Sequence, residues 1–367
     1  MTTVQTIPVN PEAITPDWLT AALRAGGMSG VTVRSVSAET IGQGAGILCH
    51  LARLTVEYDG DTTGAPPTMV AKMSTDVPET RQLVGMFRFY EREVAFYKEL
   101  QSRVPVGTAR AYYGHYDPAT GDLVLLLEDL ASRRIGDQLE GASLADAELI
   151  VSELGRLHGT FWNKPETRAL DWMPTGDSDT NKAGMSLYPM AWGPFMERLG
   201  HALTPEMVRV GERLGGVSTR ILDRFADRPM TVLHGDTRLD NLFFATQPGD
   251  PPLSVIDWQI SIRSAGPYDV GYFTSQSLQP DVRRQHERDL LRRYYDTLRE
   301  HGVTDYTYDQ CLEDYRWTLL FCLAYPVMGG GLGDLGNERG MQLVTAMMDR
   351  SVTAIQDWDA GALLDEL

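Results

Sequence analysis

The chain has 367 residues, of which 43% are hydrophobic and 23% are charged. This composition is typical of soluble globular proteins and excludes a mostly disordered or collagen-like chain, and the length predicts two domains or lobes. The formal net charge of −17 argues against nucleic acid or an anionic membrane surface as a partner, because both bind basic surfaces. We therefore expect two lobes and no partner of either kind.

No stretch reaches the ~18 to 20 apolar residues of a membrane-spanning helix. The longest apolar stretch is 317–328, which contains Pro326. The first residues lack a basic segment followed by an apolar one, so we predict no secretory signal and a cytoplasmic protein. The three cysteines, Cys49, Cys311 and Cys322, favour reduced thiols over a disulfide framework or a zinc cluster.

The negative charge is concentrated in the second part of the sequence. Residues 1–127 have a net charge of −3, and residues 128–367 have a net charge of −14. Such a field would attract a cationic or amine-bearing small substrate. It would also keep the protein soluble, and the sequence leaves both interpretations open.

The first part of the chain predicts one short helix followed by an antiparallel sheet. The helix begins with Pro16 and ends before the pair Gly26-Gly27. Strand-like segments and turns then predict three strands, a helix over 78–100 and two further strands. We therefore expect residues 1–127 to form an N-terminal lobe with a five-stranded antiparallel sheet.

Helical periodicity dominates the rest of the chain. Helices are predicted over 143–162, 204–225, 280–300, 308–325 and 338–358. Short strands are predicted at 230–236 and 253–258, with a third candidate at 242–246 between them. The fold class is therefore α+β, with a connecting segment at 128–132 and a mostly helical C-terminal lobe over 133–367.

A glycine cluster lies between two predicted strands, at Gly42, Gly44 and Gly46. Glycine allows backbone amides to approach an anion closely, so such a turn can cover phosphates. A plain hairpin with a bulge is the alternative. A strand rather than a helix follows the cluster, which excludes a dinucleotide-binding fingerprint.

Lys72 lies in an apolar strand, where it fits either a phosphate-binding cation or an edge lysine that discourages aggregation. The following helix favours the first interpretation. Glu93 shares its apolar stripe with Phe89 and Phe96, whereas Glu91 points elsewhere. A carboxylate on an apolar face needs a cation, so Lys72 and Glu93 are predicted to pair.

Three residues of the second lobe have the spacing of a phosphotransferase catalytic loop. Asp236 follows a strand, Asn241 lies five residues later, and Asp257 lies at the end of an apolar strand, 16 residues beyond Asn241. In that pattern the Asp meets the acceptor hydroxyl and the Asn amide oxygen binds a metal, while an acid at the position of Asp257 can hold Mg²⁺. Each residue alone fits a turn or a helix cap, but together with Lys72 and Glu93 they indicate phosphoryl transfer.

These motifs resemble the aminoglycoside phosphotransferase and choline kinase-like family, a branch of the protein-kinase-like fold. The segments HGDTRLDN and VIDWQ carry the resemblance, which extends over residues 42–269. They are most similar to the branches near the ecdysteroid kinase-like and hydroxyacyl-CoA kinase-like proteins. The metal motif reads Asp-Trp-Gln rather than the Asp-Phe-Gly of protein kinases.

The resemblance implies that ATP binds between the lobes, together with Mg²⁺. The adenine would lie on the connecting segment around Glu128 to Leu130, and the glycine cluster would support phosphate binding. Lys72 would hold the α- and β-phosphates and pair with Glu93.

The resemblance also implies roles for the second lobe. Asp236 would position or deprotonate the acceptor, and Arg238 would contact the γ-phosphate. Asn241 and Asp257 would hold the magnesium. His234 would orient the loop rather than transfer protons.

The acceptor is expected to be a small molecule that carries a hydroxyl group. Asp269 follows Asp257 too closely for an activation loop that docks a peptide, and it is expected to tie the segment after Asp257 to the lobe. The acceptor site should come from a loop at 172–192, from the helices after Asp269, and from a glycine-rich turn at 329–336 that is either a lid or a helix connection.

Relatives act on different acceptors, so a hydroxylated metabolite is expected first and an aminoglycoside-like antibiotic second. A nucleotide-binding pseudokinase that serves as an interaction module is the alternative from another class. Metal and serine hydrolases are disfavoured because the chain has neither H-E-x-x-H nor G-x-S-x-G. The oligomeric state cannot be predicted.

Overall fold

The protein divides into two compact units. The computed structural model describes residues 6–42, 48–60, 64–333 and 338–367. The first unit contains the described residues of 1–103 and 108–133, and the second contains 104–107 and the described residues of 134–367. The division thus falls after Arg133, next to the connecting segment predicted at 128–132.

An antiparallel five-stranded sheet forms the body of the first unit, as the sequence predicts. The strands before Arg133 are β1 (Val33–Thr40), β2 (Cys49–Tyr58), β3 (Thr68–Ser74), β4 (Gly107–Thr108), β5 (Ala111–Asp117) and β6 (Asp122–Glu128). All of them except β4 belong to the five-stranded sheet. The sheet order is β1-β2-β3-β6-β5, so β3 is the central strand. Leu19 and Leu23 of helix α1 (Pro16–Ala25) belong to the same buried apolar cluster as Leu54 and Leu126 of the sheet, and this cluster is the core of the unit.

The helix predicted over 78–100 is broken. Helix α2 (Pro78–Met86) ends before Arg88, whose backbone is left-handed with φ of 54°. Helix α3 (Phe89–Ala95) follows and continues as a π-helical turn, Phe96–Leu100. A left-handed arginine is strained, and no local residue type signals it. The break is supported by Arg92, a buried side chain that donates to the Phe87 carbonyl.

The second unit is mostly helical. Its helices are α4 (Leu144–Phe161), α5 (Pro165–Arg168), α6 (Asp179–Met185), α7 (Tyr188–Leu199), α8 (Pro205–Ala226), α9 (Pro267–Ser277), α10 (Pro280–Glu300), α11 (Tyr308–Cys322), α12 (Ala324–Leu332) and α13 (Glu338–Asp357). Within the described ranges, no helix combines the length and the hydropathy of a membrane span.

Short strands of the second unit carry the loops described below. They are β7 (Arg134–Ile135), β8 (Met230–Leu233), β9 (Leu242–Phe244), β10 (Leu253–Val255) and β11 (Ile262–Ala265). One sheet has the order β4-β10-β9-β7, and a second joins β11 to β8. The predicted strands at 230–236, 242–246 and 253–258 are therefore present as β8, β9 and β10, and β11 was not predicted.

Two regions predicted to be irregular contain helices instead. The expected loop at 172–192 includes α6 and the start of α7. The first four residues of the expected glycine-rich turn, 329–332, end α12, whereas 334–336 lie outside the described residues. A Cβ atom at Gly331 would lie 2.1 Å from the Ala191 carbonyl oxygen. These glycines therefore allow α12 to pack closely on α7.

Candidate active site

Lys72 and Glu93 form a buried ion pair in the first unit. Lys72 Nζ lies 2.6 Å from Glu93 Oε2, and the two side chains are 6% and 1% exposed. Lys72 is flanked on the central strand β3 by Leu51 of β2 and Leu125 of β6. Because both charges are removed from water, the ion pair offsets part of the cost of burying them. The ion pair predicted from helical phase is therefore present.

Glu91 lies on a different side of α3, as the phase predicts. Arg88 Nη2 is 2.6 Å from Glu91 Oε1 in a partly exposed pair. The hydrogen bond from Arg88 lowers the pKa of Glu91. Glu91 is therefore a surface carboxylate with its own cation and has no share in the buried pair.

Removal of either member of the buried pair is expected to lower the free energy of unfolding by about 3 kcal/mol, because the buried charge that remains loses its ion-pair partner. We expect Lys72→Ala and Glu93→Ala to couple by roughly 1–3 kcal/mol in a double-mutant cycle measured by chemical denaturation. Glu91→Ala, on the same helix, is the matched control and should change stability by less than about 0.5 kcal/mol. Purely additive effects, or a larger loss in Glu91→Ala than in Glu93→Ala, would contradict the assignment.

Tyr90 is a residue of this region that sequence reasoning missed. Its hydroxyl donates to the Leu48 carbonyl and accepts the Thr75 N–H at 2.9 Å. Burial raises the pKa of Tyr90 to about 12, so the hydroxyl stays protonated at neutral pH. Tyr90 lies three residues before Glu93 on the buried face of α3. That spacing is the signal that could have identified it.

The glycine cluster is described only at its first residue. Gly42 has a φ of +68°, in the region that favours glycine. Gly44 and Gly46 lie outside the described residues. Phosphate binding by the cluster therefore stays a prediction.

Ion pairs within the first unit hold the connecting segment. Arg133 Nη2 lies 3.1 Å from Glu128 Oε1, and Arg53 Nε lies 2.9 Å from Asp129 Oδ2. Leu130 is buried. The two carboxylates are thus engaged by arginines, and adenine binding by Glu128 to Leu130 stays a prediction.

In the second unit, β8 leads into a tightly bonded loop. His234 Nε2 donates to the Ile256 carbonyl at 2.8 Å, and His234 Nδ1 accepts the Asp236 N–H at 3.3 Å. Gly235 has a φ of +88°, and a Cβ atom there would lie 2.6 Å from the Ile260 carbonyl oxygen. With both ring nitrogens engaged by the backbone, His234 orients the loop, and only glycine fits the position after it.

Asp269 of α9 holds the backbone of this loop. Its carboxylate is fully buried and accepts the N–H groups of His234 and Gly235 at 2.8 and 2.9 Å. His158 Nε2 lies 3.2 Å away. The predicted partner was wrong, because Asp269 ties the loop that contains Asp236, not the segment after Asp257. The sequence could not show this long-range contact.

Three side chains surround the carboxylate of Asp236. The Tyr272 hydroxyl donates to Asp236 Oδ1 at 2.7 Å. Asn241 Nδ2 donates to Asp236 Oδ2 at 3.1 Å. Arg238 Nε lies 3.3 Å from the same oxygen, and the negative charge of Asp236 raises the pKa of Arg238. The structure thus brings together three of the predicted residues, Asp236, Arg238 and Asn241, and adds Tyr272, which was not predicted.

Asn241 and Asp257 lie at the same end of the β9-β10 pair. Leu242 of β9 is opposite Val255 of β10, and the Ile256 N–H donates to the Asn241 carbonyl at 3.1 Å. Asp257 follows with a left-handed backbone, φ of 65°. The antiparallel register therefore places the two predicted metal ligands on neighbouring chain segments.

The side-chain oxygen atoms of these two residues suit a hard cation. The Asn241 nitrogen donates to Asp236, which leaves the amide oxygen as the acceptor atom of that side chain. Asp257 supplies a carboxylate, and Mg²⁺ in nucleotide sites is held by one or two such groups together with phosphates and water. Among the described residues, no group of three or more His, Cys, Asp or Glu side chains could hold a metal.

A family model identifies the family to which the chain belongs. The model of the ecdysteroid kinase-like family matches residues 43–162 and 188–304, more than half of the chain. The chain belongs to the ecdysteroid kinase-like family. The match indicates a small-molecule kinase-like phosphotransferase. No curated protein matches the sequence.

Solved structures share the fold of this ecdysteroid kinase-like chain. A choline kinase from Cryptosporidium parvum Iowa II is 9% identical with a TM-score of 0.53, and 95% of this chain and 96% of that one are covered. A Plasmodium vivax ethanolamine kinase is 13% identical with a TM-score of 0.52, and the coverage is 96% and 90%. The GDP complex of aminoglycoside 2'-phosphotransferase-IIIa is 14% identical with a TM-score of 0.50, and the coverage is 91% and 98%. The fold is the kinase-like one predicted.

Proposed function

We propose that the protein transfers the γ-phosphate of ATP, with Mg²⁺, to a hydroxyl group of a small molecule. The observation that carries this proposal is the contact between Asp236 and Asn241. The spacing of five residues and the hydrogen bond of 3.1 Å hold a proton acceptor beside an amide oxygen suited to a cation. Phosphoryl transfer needs both a proton acceptor and a ligand for the metal ion, whereas a turn residue or a helix cap needs neither.

Residues of the first unit would bind the nucleotide. Lys72 would contact the α- and β-phosphates, and Glu93 would hold the lysine in place. The buried pair supports this role, because a lysine fixed by a carboxylate presents its charge in one position. The same residue pair would be costly in an apolar core without such a use.

Residues of the second unit would carry out the transfer. The acceptor hydroxyl oxygen forms a bond to the γ-phosphorus, the bond to the ADP oxygen breaks, and Asp236 takes the hydroxyl proton. Arg238 would stabilise charge on the transferred group from its place beside Asp236. Asn241 and Asp257 would hold the magnesium. When bound there, the ion would neutralise part of the negative charge of the phosphates.

The face of α12 near Asp236 supports a hydroxylated acceptor with an apolar body. Tyr325 packs edge-on against Tyr272, the residue that donates to Asp236, with ring centroids 4.7 Å apart. Tyr325, Met328 and Leu332 follow one another at helical spacing; the first two are half-buried and Leu332 is exposed. The helix carries no charge. An aminoglycoside, which is polycationic, would find no carboxylate on this face, although the net charge of residues 128–367 favours amines.

A pseudokinase is the alternative, and the site residues argue against it. A protein that had become an interaction module would have no need for Lys72, Asp236 and Asp257 together, since each is costly to keep unless it binds a phosphate, a proton or a metal. All three are present.

A screen of acceptors with Mg-ATP tests the proposed function. Apolar alcohols, choline-like alcohols and aminoglycosides would be compared by ADP release and by the mass of the product, with a reaction lacking acceptor as the control. We expect a product heavier by one phosphoryl group with an apolar alcohol. A wild-type protein that binds Mg-ATP and yields no phosphorylated product with any class would favour the pseudokinase.

Asp257→Ala is expected to abolish the thermal stabilisation that Mg-ATP gives to the wild-type protein, because a carboxylate ligand of the metal is lost. Differential scanning fluorimetry with ATP, in magnesium and in EDTA, measures it. Asp227→Ala, an exposed aspartate after α8, is the matched control and should keep the full shift. A shift of wild-type size in Asp257→Ala would mean that Asp257 is a turn residue only.

A further inference from the structure

The carboxylate of Asp236 is held on one side by a residue with no assigned function. Oδ2 faces Asn241 and Arg238, whereas Oδ1 accepts the Tyr272 hydroxyl. At 2.7 Å the tyrosine contact is the shortest of the three. A hydroxyl that donates to a carboxylate forms one of the stronger hydrogen bonds in proteins. Tyr272 therefore opposes rotation of the carboxylate about its Cβ–Cγ bond.

Tyr272 is itself held rigidly. It is 2% exposed, and its ring meets Tyr325 edge to face at an angle of 88°. Burial, together with the neighbouring charge of Asp236, raises the pKa of Tyr272 well above 10. The phenol is thus a permanent O–H donor that has little freedom to turn away.

The position of Tyr272 in α9 links it to Asp269. The two residues are three positions apart, so they lie on the same side of the helix. Asp269 binds the backbone N–H groups of His234 and Gly235, and Tyr272 binds the next side chain, Asp236. One helix face therefore fixes both the backbone of the loop and the orientation of its carboxylate.

We propose that Tyr272 is a positioning residue for phosphoryl transfer, whose hydroxyl fixes the plane of the Asp236 carboxylate so that one oxygen faces the acceptor. The inference rests on the proposed function of Asp236. Without the hydroxyl, Asn241 and Arg238 still contact Oδ2, but Oδ1 loses its contact with Tyr272, and the carboxylate spends less time in the productive orientation. Tyr272 touches neither the nucleotide nor the acceptor in this role, so it affects turnover and not binding.

Tyr272→Phe removes the hydroxyl and keeps the buried ring. We expect kcat for Mg-ATP turnover to fall about tenfold, the size of one hydrogen bond to a charged group, with the KM for ATP unchanged. Tyr268→Phe is the matched control. It removes a buried hydroxyl from the same helix that contacts Tyr325 and not Asp236, and it should keep the wild-type kcat.

Turnover is measured as ADP release with the best acceptor of the screen and with water alone, and the melting temperature is recorded for each variant. A wild-type kcat in Tyr272→Phe, or an equal loss of kcat in Tyr268→Phe, would overturn the positioning role. Asp236→Asn separates the two proposals. If that variant turns over like the wild type, the proposed function of Asp236 fails; if it is inactive while Tyr272→Phe is fully active, only the role of Tyr272 fails.

Discussion

Asp236→Asn is expected to lower kcat by roughly 10²-fold or more while the protein stays folded and binds Mg-ATP with unchanged affinity. An amide has the size of the carboxylate but cannot take the proton of the acceptor. The neighbours of Asp236 sharpen the expectation, because Tyr272 and Asn241 donate to opposite oxygens. In Asp236→Asn the amide nitrogen replaces one of the two oxygens. It therefore faces the hydroxyl of Tyr272 or the amide nitrogen of Asn241, and that hydrogen bond is lost.

The measurement pairs turnover, as ADP release, with nucleotide affinity by titration calorimetry. Asp250→Asn introduces the same change in the turn between β9 and β10, where Asp250 accepts the Gln247 N–H at 3.1 Å. That control should retain full turnover. Near-normal kcat in Asp236→Asn would remove Asp236 from the reaction and leave it a structural residue of the loop.

Asp269→Asn is expected to have the largest effect on stability, a loss of about 3–5 kcal/mol. The carboxylate accepts from donors on both oxygens: Gly235 N–H on Oδ1, and His234 N–H and His158 Nε2 on Oδ2. In Asp269→Asn the NH₂ group of the amide must replace one of the two oxygens, where it faces hydrogen-bond donors. Because the site is fully buried, the unpaired groups have no access to water.

The same carboxylate predicts a pH dependence of stability. Burial alone would raise the pKa of Asp269, but the hydrogen bonds from His158 and the Gly235 N–H outweigh it and lower the pKa. A group with a lowered pKa in the folded state stabilises the fold above its ordinary pKa of about 3.9, and this contribution is lost as the pH falls below that value.

Melting temperatures between neutral and acid pH test both expectations for Asp269. The wild type should lose stability at acid pH more steeply than Asp269→Asn, which lacks this titrating group. Asp227→Asn, an exposed substitution, should follow the wild-type curve. An Asp269→Asn protein as stable as the wild type at neutral pH would show that the carboxylate does not hold the loop.

Patterns with a regular period allowed much of the fold and part of the site to be predicted. Amphipathic helices such as α4, α8, α10 and α13 begin and end within about two residues of their predicted bounds. The phase of α3 selected Glu93 over Glu91 because the helix has one buried and one exposed side. The loop around Asp236 was found from the spacing of its polar residues after a strand.

Elements whose sequences lack a regular alternation of polar and apolar residues were missed. Every residue of α9 is buried, the polar ones included, so the sequence has no alternation between an exposed polar face and a buried apolar face to mark the helix, and Tyr272 was missed with it. The glycines of α12 are typical of a turn, but in the structure they allow contact with α7. The left-handed Arg88 is set by contacts such as that of Arg92 with Phe87, which no local pattern encodes. These features depend on tertiary packing, which sequence periodicity does not record.

The burial of α9 has a consequence for when the geometry around Asp236 is established. A loop fixed by a helix with no exposed residue cannot open without exposing the centre of the second unit. Its local opening should therefore require nearly the free energy of unfolding the whole unit. The orientation of the Asp236 carboxylate is then set during folding, so that the proposed transfer would need little rearrangement of this side chain when substrate binds.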